Sequence, residues 1–175
     1  MILGILILSF AFIFFAIVFY LLVRPMISGA IYAPTGDNNV EIIKKLAEAQ
    51  PGEKIVDLGS GNGKIVIAFA KDGMESHGYE INPLLVWFSR RKIKKLGLQE
   101  RAFIHGESFW KADLGEFDVV TVFTLPHIMR ALVPKIKKEL KPGARVVANA
   151  YGFQGIESLK KENQVFLYES NSFGA

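Results

Sequence analysis

Asp57, Gly59, Gly61, Gly63 and Glu80 are the residues whose types and spacing point to chemistry. Ile55, Val56 and Leu58 form the apolar run of a strand covered on both faces. The turn Gly59-Ser60-Gly61-Asn62-Gly63 follows, and Ile65 to Ala70 then reads as a helix that packs back on the sheet. Glycines at these positions let the chain reverse sharply and let its backbone approach a ligand. A helix start beyond the turn offers N–H groups to that ligand. The dinucleotide fingerprint G-x-G-x-x-G/A does not fit, because its third position, counted from Gly59, is Lys64. What stands here is an acid two residues before the first of three alternating glycines.

The elements that must position these residues follow in order. The chain has 175 residues, enough for one domain, and half of them are hydrophobic. With no cysteine, disulfides, thiolate metal sites and cysteine nucleophiles are excluded. His77, His105 and His127 are scattered and lack metal-ligand spacing, so no metal is expected. A net charge of +4 without a basic, aromatic-interleaved stripe argues against nucleic acid and suits a membrane neighbour.

The hydrophobic excess lies at the N-terminus. Ile2 to Val23 carries no charge and as a helix covers about 33 Å, enough for a hydrocarbon core. A cleaved signal would have a basic start and a shorter apolar core; Ser28-Gly29-Ala30 is only a weak cleavage-like triplet. Residues 1–24 are therefore expected to be a transmembrane anchor, 25–39 a linker and 40–175 the domain that holds the glycine turn. Arg24 follows the span and no Lys or Arg precedes it, which leaves the domain on the cytoplasmic side or its organellar equivalent.

Within the domain, Asp37 or Asn38 can cap a helix with Val40, Ile43, Leu46 and Ala47 on its inner stripe. Glu75–Glu80 is a second strand. Asn82-Pro83 starts a helix to about Leu96, and its basic last turns read as a solvated face or as a contact with anionic lipid or an acidic substrate. Arg101–His105 and Phe117–Phe123 are strands. A helix from His127 to Leu140 is expected to kink or split at Pro134. Ala144–Ala150 is a strand, Tyr151–Asn163 is irregular or partly helical, and Gln164–Glu169 is a final strand. This alternation is that of a doubly wound, mostly parallel α/β sheet.

The Asp-x-Gly-x-Gly-x-Gly motif resembles motif I of the class I S-adenosylmethionine (SAM)-dependent methyltransferases, with a nucleotide-like turn for another ligand, or none, as the alternative. A narrower resemblance, to the short membrane-anchored protein-lysine N-methyltransferases, is carried by several segments. They are Tyr32-Ala-Pro-Thr35, Val56 to Ile67, Gly78-Tyr-Glu-Ile-Asn-Pro83 with Ser89-Arg90, Phe109-Trp-Lys-Ala-Asp-Leu114 and Glu139 to Val147. Members of that family trimethylate a lysine of the ATP synthase c-subunit or of the adenine nucleotide carrier. The resemblance implies a Rossmann-like fold with a shortened C-terminal end and SAM as cofactor. It places SAM against Thr35, Asp57, Gly59, Ser60, Gly61, Asn62, Gly63, Glu80, Ile81 and Asn82. Asp57 would act through the ammonium or the turn, and Glu80 through the ribose hydroxyls. Ser108 stands where the family has Asp or Asn, so the adenine contact passes to Glu107, Ser108 or backbone.

Doubly wound sheets place ligands at the carboxyl ends of their strands, so the methyl acceptor belongs beside Thr124, Leu125, Pro126 and His127. His127 is the loop's titrating candidate, against a capping role. Tyr32, Trp110, Phe123, Tyr151 and Phe153 either wall a channel for a methylated ammonium or belong to the core. The leading expectation is lysine methylation on a neighbouring membrane protein. A lipid or quinone headgroup as acceptor, and a non-catalytic SAM-binding module at the membrane, are the alternatives.

Overall fold

The computed structural model describes the backbone of residues 2–27 and 35–174, and the side chains of 4–20 and 35–174. It divides into two compact units, residues 1–31 and 32–175. In the first unit, helix α1 (Ile2–Ile27) is 26 residues long. Its described side chains include Ile5, Leu8, Phe10, Phe12, Phe15 and Phe19, all exposed. Among the described residues no helix is long and apolar enough to cross a membrane. The expected transmembrane helix is thus not carried by the described side chains, which on α1 end at Tyr20. The Ser28-Gly29-Ala30 triplet and Tyr32-Ala33-Pro34 lie outside the described residues.

The second unit is built in the order α2 (Asp37–Ala47), β1 (Lys54–Leu58), α3 (Lys64–Lys71), β2 (Glu75–Tyr79), α4 (Pro83–Lys95), β3 (Ala102–His105), β4 (Val119–Val122), α5 (Pro126–Glu139), β5 (Arg145–Asn149), β6 (Lys160–Glu162) and β7 (Val165–Glu169). The seven strands run in the order β3-β2-β1-β4-β5-β7-β6. β1 to β5 are mutually parallel, and the β6–β7 hairpin adds antiparallel to β5. The doubly wound, mostly parallel expectation holds. The shortened C-terminal end does not, because the closing hairpin is complete. β6 is unexpected because Lys160-Lys161-Glu162 is wholly polar, as an edge strand facing water can be.

Side-chain alternation divides the core. Val56, Leu58, Val120, Val122, Val146 and Ala148 pack with Met129, Leu132 and Ile136 of α5. Ile55, Val119 and Val147 pack on the opposite face with α2 and with Ile65 and Phe69 of α3. Val66, Ile67 and Ala70 of α3 continue that layer to Val86 and Ile93 of α4 and to Ala102 and Ile104 of β3.

Three local expectations are corrected. Gly36 is the N-cap of α2, without a side-chain cap; Asp37 lies inside the helix instead, bonded to Lys64. α5 runs through Pro134 as one helix, so the expected split is absent. His77 and His105 are not scattered: the parallel register places them diagonally on β2 and β3, and Nδ1 and Nε2 lie 2.9 Å apart. Among the described residues no cluster suited to a metal ion results.

Candidate active site

The site grows from the carboxyl end of β1. The parallel register sets Asp57 between Gly78 on β2 and Thr121 on β4. Asp57 is 4 % exposed. The Thr121 hydroxyl donates to its Oδ1 at 2.8 Å. Burial pushes the Asp57 carboxyl up to about 7, against the Thr121 hydrogen bond, and the Glu80 charge pushes the same way as burial. Near neutrality this carboxylate is poised between its two forms, and a cation arriving beside it favours ionisation.

Glu80, 6 % exposed, closes the turn from the β2 side. Its Oε2 accepts the Gly61 N–H at 2.9 Å and its Oε1 the Asn82 N–H at 2.7 Å. Each oxygen keeps a second lone pair, so both can also accept a ligand hydroxyl. Other N–H groups of the turn are engaged internally. Gly59 and Ser60 both donate to the Tyr79 carbonyl at 3.0 Å, and Gly63 donates to the Ser60 carbonyl at 2.8 Å. These four N–H groups brace the loop.

Two glycines are explained by close approach. A Cβ on Gly78 would meet Ser60 Oγ at 2.5 Å, Ser60 Cβ at 2.6 Å and Val66 Cγ2 at 2.8 Å. The Ser60 side chain is thus packed under the turn against β2. Gly63 has φ 73° and would meet Ser89 Cβ at 3.0 Å, so α3 and α4 approach closely there. Asn62 Oδ1 accepts the Lys64 N–H at 3.2 Å. Asn82 caps α4, its Oδ1 accepting the Leu84 N–H at 3.0 Å, which commits that side chain to the helix.

Lys64 is the residue that sequence reasoning missed. Its Nζ donates to the Thr35 carbonyl at 2.6 Å and pairs with Asp37 Oδ1 at 2.8 Å, which ties the segment before α2 onto the start of α3. Thr35 is thereby brought to the glycine turn. The one sequence signal was that Lys64 fills the position where a dinucleotide fold has glycine or alanine.

A groove of about 530 Å³ runs from Ile81 and Gly106 along α4, past Val86, Trp87 and Arg90. Beyond Gly106, Glu107 is exposed and paired with Lys111 at 3.2 Å, and Ser108 is half-buried before a short 3-10 turn. After β4, Thr124 is buried, Leu125 is the N-cap of α5, and Pro126 and His127 are exposed in its first turn. Of the aromatic candidates, Phe153 is core, its N–H bonded to the Tyr168 hydroxyl; Phe123 is half-buried; Trp110 and Tyr151 are exposed; Tyr32 lies outside the described residues.

A buried acid under an alternating-glycine turn, a second acid at the end of the next strand and the strand order 3-2-1-4-5-7-6 define a class I SAM-dependent methyltransferase. A solved structure of an RNA methyltransferase from Salinibacter ruber, in complex with S-adenosylhomocysteine, superposes with a TM-score of 0.75 at 29 % identity, covering 78 % of this chain and 93 % of that one. The family model for the ANTKMT methyltransferase domain matches residues 57–160, and the chain belongs to that family. Among its relatives is a protein-lysine N-methyltransferase of Saccharolobus islandicus, 34 % identical over 147 residues, 78 % of this chain and 91 % of the relative. Another is the mouse lysine N-methyltransferase named for the ATP synthase c-subunit, 35 % identical over 140 residues, 77 % of this chain. The chain covers only 56 % of the length of that mouse protein.

The residues present fit SAM as the cofactor. Asp57 suits its ammonium, and the remaining lone pairs of Glu80 suit vicinal hydroxyls. The groove reaches Ile81 and Gly106, and Glu107 and Ser108, the expected adenine neighbours, follow Gly106 in the chain.

Proposed function

We propose that this protein is a membrane-tethered protein-lysine methyltransferase, and that its acceptor is a lysine of a neighbouring membrane protein. The observation that carries the methyl-transfer part is the pair of buried acids at the glycine turn, Asp57 two residues before it on β1 and Glu80, which accepts the Gly61 N–H. The lysine acceptor is supported by the relatives' names, and the tether by the apolar helix α1.

Bound SAM supplies a sulfonium methyl that a nucleophile takes in line, leaving a neutral thioether. The chain's own work is to position and to exclude water. Asp57 holds the ammonium end, Glu80 holds hydroxyls, and Thr35, Gly59, Gly61, Gly63 and Asn82 shape the cradle. The acceptor approaches over Thr124, Pro126 and His127. A lysine ammonium, with a pKa of about 10.4 in water, must lose its proton before attack. Desolvation over this loop lowers that pKa without a dedicated base, and solvent takes the proton. His127, exposed in the first turn of α5, is the alternative acceptor.

On the tether, the 26 residues of α1 make a helix of about 39 Å. Held in a bilayer, with the domain on the cytoplasmic side or its organellar equivalent, it raises the local concentration of membrane-protein lysines. The test is to incubate membranes carrying the full chain with methyl-labelled SAM. Label that runs with protein and is recovered in methylated lysine supports the reading. Label in extracted lipid, or none above a Glu80→Ala control, overturns it.

A further inference from the structure

Helix α4 carries an outward face that extends beyond the groove, sharing Trp87, Arg91 and Lys94 with its rim. Its inner side is Val86, Ser89 and Ile93, all buried. Diametrically opposite, at i, i+3, i+4, i+7 and i+11, stand Leu84, Trp87, Phe88, Arg91 and Lys95 on one line. The first three are large and apolar, yet 55 %, 53 % and 55 % exposed. Trp87 and Phe88 pack edge to face, with centroids 4.8 Å apart, and the Arg91 guanidinium lies 5.4 Å from the Trp87 ring centre. Lys92 and Lys94 flank the basic half.

These cations differ from many others in the domain, though Lys71, Lys137 and Lys138 are likewise outside the ion pairs found among the described residues. Lys44, Lys54, Lys64, Lys135, Lys141 and Arg145 each meet a carboxylate within 2.8 Å. Among the described residues Arg91, Lys92, Lys94 and Lys95 form no ion pair, and α4 contains no acidic residue. The helix dipole accounts for cations in the last turn. It does not account for three outward apolar side chains continuing the same line. An aromatic and aliphatic end that enters the interface, followed by unpaired cations, is the pattern that binds an anionic lipid surface.

We propose that the outward face of α4 lies on an anionic bilayer, with Leu84, Trp87 and Phe88 in the headgroup region and Arg91, Lys92, Lys94 and Lys95 against lipid phosphates. This deepens the membrane-tether reading and rests on it: a tethered domain meets the surface at high local concentration, and α4 then selects which side of the domain faces the lipid. Arg90 is not part of this face, since its Nε and Nη2 both donate to the Ile104 carbonyl and fasten α4 to β3.

The chain has two tryptophans, so Trp110→Phe leaves Trp87 as the sole reporter. The full chain carrying that change is reconstituted in vesicles of phosphatidylcholine, alone or with about a third phosphatidylglycerol, containing lipid brominated near the headgroup. We expect at least about twofold stronger quenching of Trp87 in the anionic vesicles, lost at about 1 M salt, where the screening length is about 3 Å. Lys92→Glu with Lys95→Glu abolishes the difference, while thermal melting and SAM affinity stay unchanged. Equal quenching in both vesicles overturns the proposal. So does protection of Trp87 by an acidic peptide or RNA but not by anionic lipid. Flotation separates the two readings. Protein that floats with neutral vesicles but shows no anionic effect keeps its tether and loses this face. Protein that floats only with anionic vesicles keeps this face and loses the tether.

Discussion

Asp57 and Thr121 are neighbours across parallel strands β1 and β4, and the Thr121 hydroxyl donates to the Asp57 carboxylate at 2.8 Å in a buried setting. That bond favours the ionised acid against its burial. Thr121→Val removes the donor while keeping the shape. SAM affinity at neutral pH is expected to fall about tenfold, the worth of a hydrogen bond to a charged group. Calorimetric titration measures it, and an unchanged affinity contradicts the role given to Thr121.

The Asp57 carboxyl titrates near 7 in the fold, above its ordinary value. The folded state therefore holds that proton more tightly than the unfolded chain. The stability this provides is full below about pH 4, declines as pH rises toward about 7 and is flat above. The upper size of the effect is about 4 kcal/mol. Denaturant unfolding at pH 5 and 7.5 checks the sign, and Asp57→Asn should flatten the profile. SAM affinity runs the opposite way, falling toward tenfold per pH unit below about 7, because the ammonium requires the carboxylate.

Gly78 lies where any side chain must collide with Ser60 and Val66. Gly78→Ala is expected to cost about 1–3 kcal/mol by overpacking and to shift the glycine turn, weakening SAM binding as well. Ser60→Gly in the same chain should restore part of the stability, since two of the three close atoms belong to Ser60. Thermal melts of the single and double variants provide the comparison.

Lys64 ties Thr35 and Asp37 to the start of α3. Lys64→Met keeps the helix and removes both contacts. Amide exchange at residues 35–37 is expected to quicken, with little change in global stability because Asp37 is almost fully exposed. Mass-resolved hydrogen exchange reads this directly.

The parallel sheet was legible because its strands are apolar runs and each is followed by a helical stripe; Asp57, the glycines and Glu80 were legible by spacing. The residues that escaped prediction depend on long-range packing. Lys160-Lys161-Glu162 has no apolar alternation and becomes a strand only by pairing with β7. The close fit of Ser60 against Gly78 joins two segments that only the fold brings together. Asn82 reads as both cap and cofactor contact, and its side chain is committed to the cap. The pairing of Lys64 with Thr35 and Asp37 joins segments far apart in the chain, which periodicity does not report.

Titration of SAM into the purified full chain decides whether Glu80 and Asp57 together form its binding site. Glu80→Ala removes the acceptor for ligand hydroxyls and the brace on Gly61, and Asp57→Ala removes the partner of the ammonium. Each should weaken binding by about ten- to a hundredfold, as expected for losing charge-assisted hydrogen bonds. Wild-type affinity in both variants, with folding intact, would contradict the site.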